Sequence, residues 1–178
     1  MKRNLLLNLL NNYHPAAPEE KVFKEKIISF VQQHDDCFER SLTIGHITAS
    51  AWLVNKDNSC ALLMHHTKLD SWFQLGGHCD GDHDTLAVAL KEAQEESGIV
   101  GIEPVSTQIF DIDIHRIPEN KKEAAHDHYD IRFLLRVASD EPVIQNNESK
   151  ELRWIRKDLA DLPTNNLSVV RMFNKWRA

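Results

Sequence analysis

The stretch Gly76-Gly77-His78-Cys79-Asp80-Gly81-Asp82-His83-Asp84 runs straight into a helix-forming segment, Thr85 to Gly98. Asp84 is placed to cap the first turn of that helix, and Gly98 to end it in a left-handed residue. Glu92, Glu95 and Glu96 fall at i, i+3 and i+4 and so share one face over roughly one turn. Like charges at that spacing weaken an isolated helix by about 0.2–0.5 kcal/mol per pair. An acidic helix face is ordinarily a solvated one. Here Leu86, Leu90, Ala93 and Ser97 form a narrow stripe suited to a core, with the three glutamates largely off it. A cation is expected over them, and a hard divalent ion with oxygen ligands fits best.

With those residues in place, the segment resembles the signature of the Nudix hydrolase family. In that signature a glycine leads, through a loop glutamate, to Arg-Glu-apolar-x-Glu-Glu-x-Gly-apolar. Gly77 opens the match and Lys91-Glu92-Ala93-Gln94-Glu95-Glu96-Ser97-Gly98-Ile99 closes it. Two positions depart. His83 stands where the family has its loop glutamate and Lys91 where it has arginine, a pair that usually braces loop against helix. Asp82 or Asp84 is the candidate for the acidic half of an altered brace. Leu75 also replaces the proline that often precedes the double glycine.

The resemblance implies an α/β (α+β) Nudix fold, a mixed sheet sandwiched between helices. It implies metal-dependent attack of water on a diphosphate linkage, as in a nucleoside diphosphate linked to another moiety or a nucleoside triphosphate. Glu92, Glu95, Glu96 and the Gly76 carbonyl would hold Mg2+ or Mn2+, with Glu95 or Glu92 as the base and Gly77 against substrate. The family's markers for ADP-ribose and dinucleoside polyphosphate substrates do not fall at Ile114-His115-Arg116 or Pro118, which leaves the substrate open. Two other readings are carried: a silent nucleotide-binding sensor, favoured by His83 and Lys91, and an isoprenoid diphosphate isomerase, for which Cys79 is slender support. A cysteine nucleophile at Cys79 is also weighed, but no third group is in view to orient it.

A chain of 178 residues suits one core with a small appendage. The formal charge of −6, with no basic stripe, argues against a nucleic-acid backbone as partner. Cys37, Cys60 and Cys79 are widely spaced, as free thiols in a reducing compartment would be. The Leu-rich start, broken by Asn8 and closed by Asn11-Asn12, reads as an amphipathic helix rather than a leader, and a cytoplasmic location is expected. No segment has the length to span a bilayer.

Residues 1–40 are expected to be a helical extension packed on the core, and 41–178 the hydrolase domain. Leu5, Leu6, Leu9 and Leu10 would make one apolar face; after Pro15 and Pro18 a second helix would bury Val22, Phe23, Ile27, Phe30 and Val31. The extension could cover a sheet edge, build part of a pocket or support a homodimer. Alternation from Ile47 to Val54, a turn at 55–58 and a run from Ala61 to His65 predict a hairpin. Trp72 to Leu75 would lead into the loop. Further strands are predicted over Val105–Ile117, His128–Val137 and Glu151–Ile155, a lid-like loop over Pro118–Ala125, a helical turn over Leu159–Leu162, and a closing helix to Trp176.

His126 and His128 are two apart on a predicted strand and share a face; with His46, His65, His66 and His78 they could line a pocket. They could form a second metal site or donate a proton, or act as neutral hydrogen-bonding rings, which is the reading preferred at this point. Arg132, on the same face, is a candidate phosphate clamp, with Arg40 and Lys68 weaker ones. Among the aromatic residues, Tyr129 is the best placed to touch substrate.

Overall fold

The computed structural model describes residues 2–119, 124–139, 141–159 and 162–178. Its elements in chain order are α1 (Asn4–Asn12), α2 (Pro18–Gln33), β1 (Gly45–Val54), β2 (Cys60–His66), β3 (Ser71–Phe73) and β4 (Leu75–His78). Then follow α3 (Thr85–Ser97), β5 (Ile102–Pro104), β6 (Asp111–Ile117), β7 (His126–Val137), β8 (Ser149–Arg156) and α4 (Leu167–Arg177). Among the described residues no helix is long and apolar enough to cross a membrane.

The strands form one curled mixed sheet in the order β3-β2-β1-β7-β5, with β4 on β1, β6 on β7 and β8 on β2. Strand β1 is the spine and is buried along its whole length. It runs parallel to β7 from Gly45 opposite Asp127 to Val54 opposite Arg136, and antiparallel to β4 with Ser50 opposite Gly76. Its alternation gives the two faces different work. Ile47, Ala49, Ala51 and Leu53 join Ile131, Phe133 and Leu135 of β7 in the main core, with Val88, Ala89 and Ala93 of α3 and Leu6, Leu10, Ile27, Phe30 and Val31 of α1 and α2. On the other face Trp52 packs with Val169, Met172, Phe173 and Trp176 of α4. The sheet thus lies between helices, as an α/β (α+β) sandwich requires.

The double glycine lies in a strand, not a loop: Gly76 and Gly77 belong to β4 and pair with β1. The reach of Val105–Phe110 as strand is corrected. Ile102–Pro104 pairs with β7, and the next strand begins only at Asp111, where Asp111 faces Arg132. In α2, Val22 is 49% exposed, because the buried stripe runs through Ile27, Phe30 and Val31 and leaves Val22 on the solvent side. Leu5 is likewise exposed, while Leu6 and Leu10 carry the α1 contact. Half of the predicted lid, residues 120–123, and half of the predicted turn of helix, residues 160–161, lie outside the described residues.

A buried ionic network ties α2 and α4 to the sheet. Arg132 of β7, only 1% exposed, donates to Asp130 at 2.7 Å and to Asp111 at 3.0 Å, lies 3.3 Å from Asp113 and reaches Ser168 at 3.2 Å. Arg171 and Lys175 of α4 also bind Asp111, and Lys175 contacts Glu20 of α2, which accepts from the Tyr13 hydroxyl at 2.7 Å. Burial alone would raise the Asp111 carboxyl; hydrogen bonds from Arg171 and the charges of Arg132 and Lys175 hold it far below its ordinary range.

Candidate functional site

Helix α3 forms as its caps dictate. The Asp84 side chain accepts from the Ala87 amide at 3.1 Å, and Gly98 closes the helix at φ 71° in the left-handed region. Its buried stripe is shifted from the expected one. Thr85, Val88, Ala89, Ala93, Glu96 and Ser97 face inward, and Leu86 and Leu90 are only partly covered. Glu96 therefore sits on the core side of the helix, 4% exposed, while Glu95 faces solvent and Glu92 lies between them.

Glu96 and Glu92 meet the double-glycine strand. The Gly76 amide donates to Glu96 Oε2 at 2.8 Å. A Cβ on Gly77 would come within 2.6 Å of the Glu92 carboxylate, so a residue with no side chain is what lets the carboxylate rest on the strand. Burial pushes the Glu96 carboxyl up to about 8, with the Gly76 amide opposing and the charges of Glu92, Glu148 and Glu95 adding to the rise. Glu92 is raised as well, first by burial, with Lys91 opposing and Glu95, Glu148 and Asp80 reinforcing. Two carboxyls both shifted toward their neutral form by burial and by each other's neighbourhood are a donor set that a divalent cation would relieve.

Glu148 is the acidic neighbour that the sequence did not disclose. Asn146 donates to the Glu95 carbonyl at 3.3 Å, and the Glu148 carbonyl accepts from the Thr67 amide at 2.9 Å. These contacts pin the segment before β8 between α3 and the end of β2, close enough for the Glu148 charge to act on both inner glutamates. It sits in a polar Asn-Asn-Glu-Ser turn, and nothing local in the sequence distinguishes it from a surface residue.

The altered brace also differs from expectation. Asp84 is the helix cap and Asp82 accepts from the Asp84 amide at 3.0 Å, so neither is shown holding Lys91. Lys91 lies 3.8 Å from Glu95 and 4.0 Å from Glu92. The loop is fastened instead to the segment before β1. Arg40 grips Asp80 through two bonds of 2.5 Å, the Gly81 amide donates to the Phe38 carbonyl at 3.0 Å, and His83 packs on the Phe38 ring at 5.0 Å. Arg40 is thereby a loop fastener.

Beyond the ionic network, the same sheet face stays polar. Asp130 accepts from Thr48 at 2.9 Å and from Ser50 at 2.8 Å. Further along lie His46 of β1, His78 of β4, His115 of β6 and His126 and His128 of β7. His126 Nδ1 lies 2.8 Å from the Ala124 carbonyl, which can only accept; in the neutral ring its Nε2 then accepts from His128 Nε2, 3.2 Å away. Burial, then the charges of His78 and His126, draws His46 down to about 4. Burial and the surrounding histidines draw His128 far below its ordinary range too.

Other expected contacts do not assemble here. Arg132 has its guanidinium enclosed by carboxylates, which does not suit a phosphate clamp: pointing to the same face as His128 put it under α4. Tyr129 alternates to the opposite face from the histidines and stacks on Phe30 of α2 at 4.0 Å. His65 stacks on Trp72 and pairs with Asp70, and the His66 ring accepts from the Lys68 amide in the turn. Cys79 is 4% exposed, and burial, then the Asp130 and Asp82 charges, push its thiol far up, away from the thiolate a nucleophile needs.

Fold and site define a mixed-sheet α/β domain organised around an acidic helix behind a double-glycine strand. Residues 45–174 match the model of the NUDIX domain, and the chain belongs to that family. The same fold is seen in a NUDIX-family hydrolase from Clostridium perfringens, at 24% identity and a TM-score of 0.53 over 74% of this chain and 95% of that one. It recurs in the MutT protein from Methanosarcina mazei Go1, at 19% identity and a TM-score of 0.57 over 76% and 94%. A C. elegans Ap4A hydrolase in a binary complex matches at 16% identity and a TM-score of 0.54 over 73% and 93%. No curated protein matches the sequence.

Proposed function

We propose that the chain is a pyrophosphohydrolase that cleaves a diphosphate linkage in a small nucleotide-like molecule, with Mg2+ or Mn2+ as its cofactor. The observation that supports the reading most is the meeting of Glu92 and Glu96 at Gly76–Gly77, with Glu96 buried and raised to about 8. When bound, the divalent ion would acidify a water and offset phosphate charge.

In this reading Glu92 and Glu96 are the inner ligands, with the Gly76 carbonyl beside them and Glu95 at the rim. Glu95 faces solvent and takes the proton from the attacking water, and Glu92 is its inner neighbour. Glu148, whose charge acts on both Glu92 and Glu96, is a further carboxylate able to orient that water. Gly77, with no side chain, lets the Glu92 carboxylate rest on the strand where phosphate would meet the ion. Residues 1–40 act as a helical extension that anchors the loop through Phe38 and Arg40. The test is a panel of nucleoside triphosphates, dinucleoside polyphosphates and nucleoside diphosphate conjugates, incubated with Mg2+ or Mn2+ and read by product mass. Turnover of at least one class, lost in Glu96→Gln, is expected. A folded protein silent on the whole panel would favour a binding role instead.

A further inference from the structure

We propose that His46, His78 and His128 form a second metal site, all nitrogen in its protein ligands, that takes a borderline divalent ion of the zinc class. One ring nitrogen from each lies within 4.8 Å of the others. Three different strands supply them. His46 and His128 are register partners across the parallel β1–β7 ladder, and His78 enters from β4 opposite Thr48. Their ring centroids stand 4.8 to 5.1 Å apart.

A second observation points to an absent ligand. His46 is 3% exposed, and neither of its ring nitrogens has a hydrogen-bond partner. The Leu42 carbonyl lies near enough to favour its cation slightly, but without hydrogen-bonding geometry. A buried imidazole with both nitrogens unanswered, ringed by other imidazoles, needs a partner. Neutral imidazole is the form that binds metal, and burial keeps His46 in that form.

The outer contacts suit the role. His126, fixed by the Ala124 carbonyl, bonds His128 and sets its ring, as outer partners of metal-bound histidines do. Magnesium wants oxygen ligands and keeps its waters, so three imidazoles select against it. Zinc–nitrogen bonds of about 2.0–2.1 Å in a tetrahedron place the nitrogens roughly 3.3 Å apart. The widest pair must therefore close by about 1.5 Å, which half-buried His78 and His128 can supply by side-chain rotation. Three protein ligands leave a fourth position for water or for an oxygen of a bound molecule.

The full-length protein, stripped by chelator and held in excess Mg2+, is titrated with Zn2+ by calorimetry and with Co2+ by visible absorption. About one equivalent should bind per chain, with the visible bands of four-coordinate cobalt, in wild type and equally in Glu96→Gln. His46→Asn and His78→Asn should each weaken binding by at least about 100-fold, and His126→Ala by about 10–100-fold. Should His46→Asn fail to fold, half-buried His78 and X-ray absorption of the zinc-loaded wild type, which should show imidazole scattering, still decide the matter. Zinc that does not bind under excess Mg2+ overturns the proposal. So does binding that survives His78→Asn but is lost in Glu96→Gln, since that ion would occupy the carboxylate site.

Discussion

The Gly76 amide donates to Oε2 of Glu96 at 2.8 Å, joining a β-strand to the core side of the acidic helix through a carboxylate that burial pushes up to about 8. Glu96 is thus held in position at a cost in stability when it ionises. An acid whose folded value exceeds its ordinary 4.5 contributes fully below that value and loses its contribution as pH rises toward 8. His46, drawn down from 6.5 to about 4, acts in the opposite sense, but only below about 6.5. Metal-free wild type should therefore lose up to about 2 kcal/mol between pH 6.5 and 8 relative to Glu96→Gln, at about 1.4 kcal/mol per unit. Denaturant midpoints across that range, and their convergence when Mg2+ or Mn2+ is added, check it.

Gly77→Ala separates site geometry from folding. The new methyl meets the tip of the Glu92 side chain at 2.6 Å, and Glu92 can swing away. Thermal stability should stay within about 1 kcal/mol of wild type, while kcat/KM falls by about 10-fold or more. Gly76→Ala should behave otherwise: its Cβ meets backbone atoms of Ala49 and Ser50 at 2.7 Å, at φ 154°, and the fold itself should suffer.

Arg132→Met tests the buried network. Removing the guanidinium leaves Asp111, Asp113 and Asp130 short of a partner in the interior, at a cost of about 3–5 kcal/mol. Urea titration should show that loss. KM of the fraction that stays folded should not change, whereas a phosphate clamp would raise it.

Glu148→Gln removes a charge from an exposed position, so stability should stay within about 0.5 kcal/mol. Hydrolysis should fall by about 10–100-fold, with kcat carrying the loss, if Glu148 orients the attacking water. Steady-state kinetics beside a melting curve reads both.

The acidic helix and its caps were legible in the sequence because spacing, Asp84 and Gly98 are local signals. The β1 alternation was legible for the same reason. Burial of Glu96 was not, since the inner side of α3 is set by the strand it packs on rather than by its own pattern. Glu148 reaches the site through Asn146 and Thr67, contacts that lie far apart in the chain. The ionic network did leave a trace: Asp111 and Asp113 on one strand, with Asp130 and Arg132 on another, each alternate onto a single face. What was missing was the knowledge that β6 and β7 are register partners beneath α4, where a like-faced charge becomes a buried one.

Hydrolysis of a turned-over diphosphate in 18O-labelled water, with each product weighed, tests the central claim most directly. One oxygen should enter one phosphate product, and both label and turnover should vanish on chelation and in Glu96→Gln. Label that enters carbon, or turnover that persists after the divalent ion is stripped and the Glu96 carboxylate removed, would contradict it.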